Sequence, residues 1–137
     1  MTDLIVPQVG DDSQALRTLA RYVREKMGPT TPFHLLRWHP DYKMMDLPPT
    51  PISTLERLHA IAKEEGLEYV YLGNVWGHPL EHTYCPRCGA IAVERYGVMI
   101  RRWNLDSQNR CQKCRLALPI VGSPPPNYEP TFATPLA

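Results

Sequence analysis

Thr83-Tyr84-Cys85-Pro86-Arg87-Cys88-Gly89 and, with 22 residues between Cys88 and Cys111, Cys111-Gln112-Lys113-Cys114-Arg115 place all four cysteines of the chain in two Cys-x-x-Cys pairs. Each pair bends the backbone so that both sulfurs face one ion. Two pairs supply the four thiolates of a closed tetrahedral site. The spacing therefore predicts a zinc ribbon ligated by Cys85, Cys88, Cys111 and Cys114, with rubredoxin-type iron as the other metal that suits this donor set. A site with four protein ligands has no open position for water or substrate, so the metal is expected to be structural.

Outward from the ribbon, the 137-residue chain is long enough for one ordinary domain or two small ones. Hydrophobic residues make up 43% and the formal net charge is +1, the balance of a soluble globular protein. No apolar run is long enough to span a bilayer. The start, Met1-Thr2-Asp3-Leu4-Ile5-Val6-Pro7, has neither a basic n-region nor a long apolar core. Paired Cys-x-x-Cys without a secretory signal points to metal rather than disulfides, and to a cytoplasmic setting. Charge is uneven. Residues 1–75 carry 8 Lys/Arg against 10 Asp/Glu, whereas residues 85–115 carry 7 against 2. A basic metal module can meet phosphates, an acidic partner or water.

The first 77 residues read as alternating strands and helices. Leu4-Ile5-Val6 is a short apolar run stopped by Pro7. Asp11 to Gln14 offers a capping box for a helix whose apolar positions are Leu16, Leu19, Ala20, Val23 and Met27, and Gly28-Pro29 ends it. Phe33 to Trp38 is a second strand, apolar on both faces. Thr50 as cap and Pro51 at the first helical position start a helix with Leu55, Leu58, Ile61 and Ala62 on its buried stripe. Leu67 to Leu72 is a third strand. This βαβαβ order predicts parallel strands joined by right-handed crossovers. Residues 78–122 form the ribbon, with a hairpin of Ala90 to Glu94 and Val98 to Trp103 between the knuckles. Residues 123–137 hold five prolines and read as a disordered or extended tail.

Two stretches are distinctive in detail: Arg37-Trp38-His39-Pro40-Asp41-Tyr42-Lys43-Met44 followed by Leu47-Pro48-Pro49-Thr50-Pro51, and Tyr69-Val70-Tyr71-Leu72-Gly73-Asn74-Val75 running on to His78 and the first knuckle. Over roughly residues 2–120 the chain resembles the C-terminal part of the AmmeMemoRadiSam-system radical SAM enzymes, which are similar to the activating enzymes of pyruvate formate-lyase. The resemblance implies an α/β fold in which residues 1–77 are the last βα units of a partial (βα)6 barrel. It also implies S-adenosylmethionine and a [4Fe–4S] cluster as cofactors. By motif position, His39 matches a histidine that contacts S-adenosylmethionine. In such a barrel Arg37 is within reach of the S-adenosylmethionine carboxylate or of a substrate acid, with an ion pair to Asp41 or Asp46 as the plainer role. In the same barrel Leu4 packs against the adenine, with ordinary core packing as the alternative.

The departures are equally specific. The family binds its cluster through Cys-x-x-x-Cys-x-x-Cys, and no Cys-x-x-x-Cys is present. The family's Pro-Gly-Leu-Asn-Asp is Pro7-Gln8-Val9-Gly10-Asp11 here, and its Cys-Gly after the second knuckle is Cys114-Arg115. The chain alone is therefore not expected to catalyse radical chemistry. The expectation is a subunit that completes a barrel with a cluster-bearing N-terminal polypeptide, or a homo-oligomer that covers the open sheet. The alternative is a non-catalytic zinc-ribbon adaptor that binds protein or RNA through Arg95, Tyr96, Arg101, Arg102 and Trp103.

Overall fold

The computed structural model describes residues 1–128; the part of the predicted tail at 129–137 lies outside the described residues. Two units pack on each other. In the first, β1 (Thr2–Ile5), α1 (Ser13–Met27), β2 (Phe33–Arg37), α2 (Ile52–Glu64) and β3 (Val70–Gly73) follow in turn. The strands are parallel in the order β1-β2-β3. His34 pairs with Thr2 on one side and with Tyr71 on the other.

Side chains alternate across a strand, so each strand offers one set of residues to each face. Ile5, Phe33, Leu35, Val70 and Leu72 join Leu16, Ala20 and Val23 of α1 and Leu55, Leu58, Ile61 and Ala62 of α2 in one buried cluster. Both helices thus lie on the same face of the sheet, as two right-handed crossovers stepping in one direction require. Burying a side chain such as Phe33, Leu55 or Leu58, each 0% exposed, contributes about 1.5–3 kcal/mol.

The helix ends differ from the sequence expectation in detail. Asp12, not Asp11, caps α1 by accepting from the Ala15 amide at 2.7 Å, while Asp11 accepts from the Gln8 amide at 2.9 Å. Thr50 makes no cap for α2. It is fully buried, its hydroxyl donates to the Ile5 carbonyl at 2.5 Å, and its amide donates to the Trp38 carbonyl at 3.0 Å. A buried hydroxyl needs a partner, and the strand ends provide it before the helix begins.

The second unit is β4 (Thr83–Tyr84), β5 (Ile91–Tyr96) and β6 (Met99–Trp103), an antiparallel sheet in that order. Its small core holds Tyr69, Ala92, Val93, Leu105 and Leu118 beside Cys85 and Cys111. Tyr128 reaches back to this sheet, its hydroxyl accepting from the Ile100 amide at 3.0 Å.

The expected piece of a (βα)6 barrel is corrected. Among the described residues the fold is two α-helices, a single 3-10 turn at Pro79–Glu81 and two small three-stranded sheets, and the parallel sheet does not close on itself. Among the described residues β1 and β3 have no further strand neighbours. The face that a barrel would enclose is instead met by the ribbon. Tyr71 on β3 hydrogen-bonds to Thr83 on β4 at 3.1 Å, and the Arg95 guanidinium of β5 lies 5.6 Å over the Tyr71 ring. The strand–helix alternation was read from local pattern, whereas closure depends on what covers the second face.

Candidate metal centre

The two knuckles are built alike. In the first, the Gly89 amide donates to the Cys85 carbonyl at 2.9 Å and the Cys85 amide donates to the Ala90 carbonyl at 2.8 Å. In the second, the Arg115 amide donates to the Cys111 carbonyl and the Cys111 amide to the Leu116 carbonyl, both at 2.8 Å. Each turn needs a left-handed residue after its second cysteine. Gly89 supplies it at φ 68°, and Arg115 supplies it at φ 63°. A side chain there costs about 1–2 kcal/mol in local conformation. Arg115 takes the same turn as a glycine would and places its guanidinium 3.1 Å from Asp106.

Asp106 organises the second knuckle, and sequence spacing gave no sign of it. It accepts from the amides of Gln108 and Arg110 at 2.9 Å and from the Arg110 side chain at 2.9 Å. The Arg110 amide is the largest influence on its carboxyl. With the Gln108 amide and the Arg110 guanidinium it holds the carboxyl down to about 2, against the opposing effect of burial.

The four sulfurs converge. All lie within 4.8 Å of one another. Cys85 and Cys114 are 3.5 Å apart, and Cys88 and Cys111 are 3.8 Å apart. A tetrahedron with metal–sulfur bonds of about 2.3 Å has edges of about 3.8 Å, so the donor set and its size fit one metal ion. Cys85 and Cys111 are buried, while Cys88 and Cys114 are half-buried. Burial pushes the Cys111 thiol up, but the amides of Cys114 and Lys113 and the neighbouring sulfurs outweigh it and bring it down to about 7. The Leu116 amide favours the Cys114 thiolate, yet burial and the other three thiols leave that group at about 11. Four crowded thiols share negative charge badly without a cation. His82, near in sequence, takes no part; its Nδ1 accepts from the Arg95 amide at 3.2 Å.

The other candidate residues are not gathered into one site. His39 is exposed in the loop after β2, with Nδ1 3.3 Å from the Pro40 carbonyl. Arg37 ends β2 and donates from Nε to the Thr50 carbonyl at 2.9 Å rather than pairing with Asp41 or Asp46. Leu4 is 48% exposed and pairs in register with Leu36, whereas Arg37 pairs with Ile5. Leu4 and Arg37 therefore lie on opposite faces of the sheet. Among the described residues no helix is long and apolar enough to cross a membrane.

Comparison with known proteins gives one informative match. The chain is 49% identical over 122 residues to an uncharacterized protein of Methanocaldococcus jannaschii, and the aligned region is 88% of this chain but 37% of that relative. The chain thus spans little more than a third of the length of the curated relative it matches. No family model matches the chain. No solved structure matches it.

Proposed function

We propose that this chain is a non-catalytic, metal-stapled module that works as part of a larger protein or complex, with Cys85, Cys88, Cys111 and Cys114 holding structural zinc. The observation that carries this reading is the cluster itself: four convergent sulfurs on two matched knuckles, with every coordination position of a tetrahedral ion taken by protein. Such a site folds the chain around it and leaves no place for substrate. Elemental analysis of the purified native chain tests it. One zinc per chain is expected. Iron in its place, or a folded ribbon with four free thiols, overturns the assignment.

A second reading, the radical SAM expectation, rests on the sequence resemblance. The matched relative extends well beyond the aligned region, so there is room in such a protein for the residues that bind a cluster and S-adenosylmethionine. In this reading the chain sits beside a cluster-bearing polypeptide and contributes the metal ribbon; Leu4 and Arg37 lie on opposite sheet faces, so at most one of them meets the cofactor with His39 in that assembly. Co-expression with candidate cluster-bearing polypeptides tests it. Association together with reductive cleavage of S-adenosylmethionine supports it, and failure of both removes it. The adaptor alternative predicts salt-sensitive binding of RNA by the hairpin arginines, which a filter-binding titration reads directly.

A further inference from the structure

Between the helix-free face of the parallel sheet and the ribbon lies a cavity of 520 Å³. His34, Leu36 and Tyr71 line its floor, and Trp76, Thr83 and Arg95 line its walls. This size and this mixture, mostly apolar with a few convergent polar groups, are those of small-molecule sites.

Arg95 is the odd residue in it. Elsewhere in the ribbon Arg102 pairs with Glu94, and Arg110 and Arg115 pair with Asp106. Arg95 is half-buried and has no carboxylate partner among the described residues. Its Nη1 donates to the Thr83 hydroxyl at 2.5 Å and its guanidinium lies over Tyr71, which leaves other donors of its five-donor fork for an occupant of the cavity. Burial pushes its guanidinium below its ordinary range. A cation drawn out of water without an anion is costly, so the site is incomplete as it stands.

The remaining lining sets the chemistry of the occupant. His34 and Tyr71 are stacked, their ring centroids 4.9 Å apart and their planes 25° from parallel. Burial chiefly, helped by the terminal amine and Arg95, lowers the His34 pKa and favours neutral imidazole. Glu81 also lines the cavity, but its Oε2 is held by the Gly77 amide at 2.7 Å and the Gly97 amide at 3.3 Å. One unpaired cation near one fixed carboxylate suits a single negative charge and disfavours a polyphosphate. A guanidinium fork matches a carboxylate in two-point geometry, and a stacked aromatic pair matches a flat ring.

We infer that this cavity binds a small planar organic carboxylate, its carboxylate on Arg95 and its ring against the Tyr71–His34 stack. The inference goes beyond the structural metal site and holds whichever metal fills the ribbon. The test uses the full metal-loaded chain, with 2-naphthoate and its uncharged counterpart 2-naphthylmethanol as probes, followed by amide and aromatic NMR shifts. Naphthoate is expected to saturate, with shifts centred on His34, Tyr71, Thr83 and Arg95, and to bind about tenfold or more tightly than the alcohol. Arg95→Met is expected to abolish that preference, while Arg102→Met keeps it. Equal affinity for the two probes, no saturation of naphthoate by about 10 mM, or shifts centred elsewhere overturns the inference. Those three readings come from the unaltered protein, so they decide the matter even if Arg95→Met fails to fold. Metal content, measured on the same sample, separates a failure here from a failure of the zinc assignment.

Discussion

The helix-covered unit and the ribbon reach order by different means. In the first, Ile5, Phe33, Leu35, Leu55 and Leu58 are all 0% exposed and pack in one continuous cluster. Hydrophobic burial is enough to explain it. In the second, the apolar core is a handful of side chains, and two of the most buried residues are cysteines. Units with so small a core usually need a disulfide, a metal or a partner, and the four convergent cysteines suit a metal. On the proposed metal assignment, the same molecule has one half whose stability scales with buried area and another whose stability follows metal occupancy.

The sharpest way to break this comparison is to remove the metal. Structural zinc in small modules carries apparent binding free energies of about 10–16 kcal/mol, so chelation or Cys111→Ser is expected to unfold the ribbon. NMR of the treated protein should lose the dispersed resonances of residues 83–118 while those of α1 and α2 persist. Loss of both sets together would mean that the two units form one cooperative core.

The converse experiment strikes the other half. Phe33→Ala leaves a cavity under both helices and is expected to cost about 3–5 kcal/mol. Denaturant unfolding followed at the helices reports that loss, while zinc stoichiometry of the folded variant should stay unchanged.

Acid provides a milder probe of the helix-covered unit. Hydrogen bonds from Arg21 and then Arg17 hold the Glu65 carboxyl below its ordinary value of 4.5. A carboxyl lowered on folding adds stability that is full above the unfolded value and is lost as pH falls through the folded one. Glu65→Gln is therefore expected to flatten the stability profile of this unit below about pH 4.5, read by helix circular dichroism across a pH series. An unchanged profile would remove Glu65 as the acid-sensitive link between α1 and the end of α2.

The smallest expected effect compares the knuckles with each other. Gly89→Ala puts a side chain at φ 68° and should cost about 1 kcal/mol. Arg115→Gly relieves the matching strain but gives up the Asp106 contact, so a gain of at most about 1 kcal/mol is expected. Competition with a chelator ranks the variants. A large loss on Arg115→Gly would show that the ion pair with Asp106 matters more than the backbone.

Much of the local structure was legible. The 3.6-residue spacing of Leu16, Ala20 and Val23 marked α1, and Cys-x-x-Cys spacing marked both knuckles. Helix starts were legible only to within a residue, since Asp11 and Asp12 both cap well by type and only the chain path selects Asp12. Thr50 had the composition of a cap, but the end of β1 lay within reach of its hydroxyl. Tyr71 and His34 carried no motif. Their pairing across β2 and β3 sets Tyr71 beside His34, and only the packing of the ribbon sets Arg95 over Tyr71.

The sequence by itself determined the strand–helix alternation and the two cysteine knuckles, because periodicity and Cys-x-x-Cys turns are local and act within a few residues. Tertiary structure alone decided what covers the second face of the parallel sheet. That choice rests on contacts such as Tyr71–Thr83 and Arg95–Tyr71, between residues 12 or more positions apart. No local pattern encodes them. They replaced an expected barrel interior with a ribbon, and they left an unpaired arginine facing a cavity.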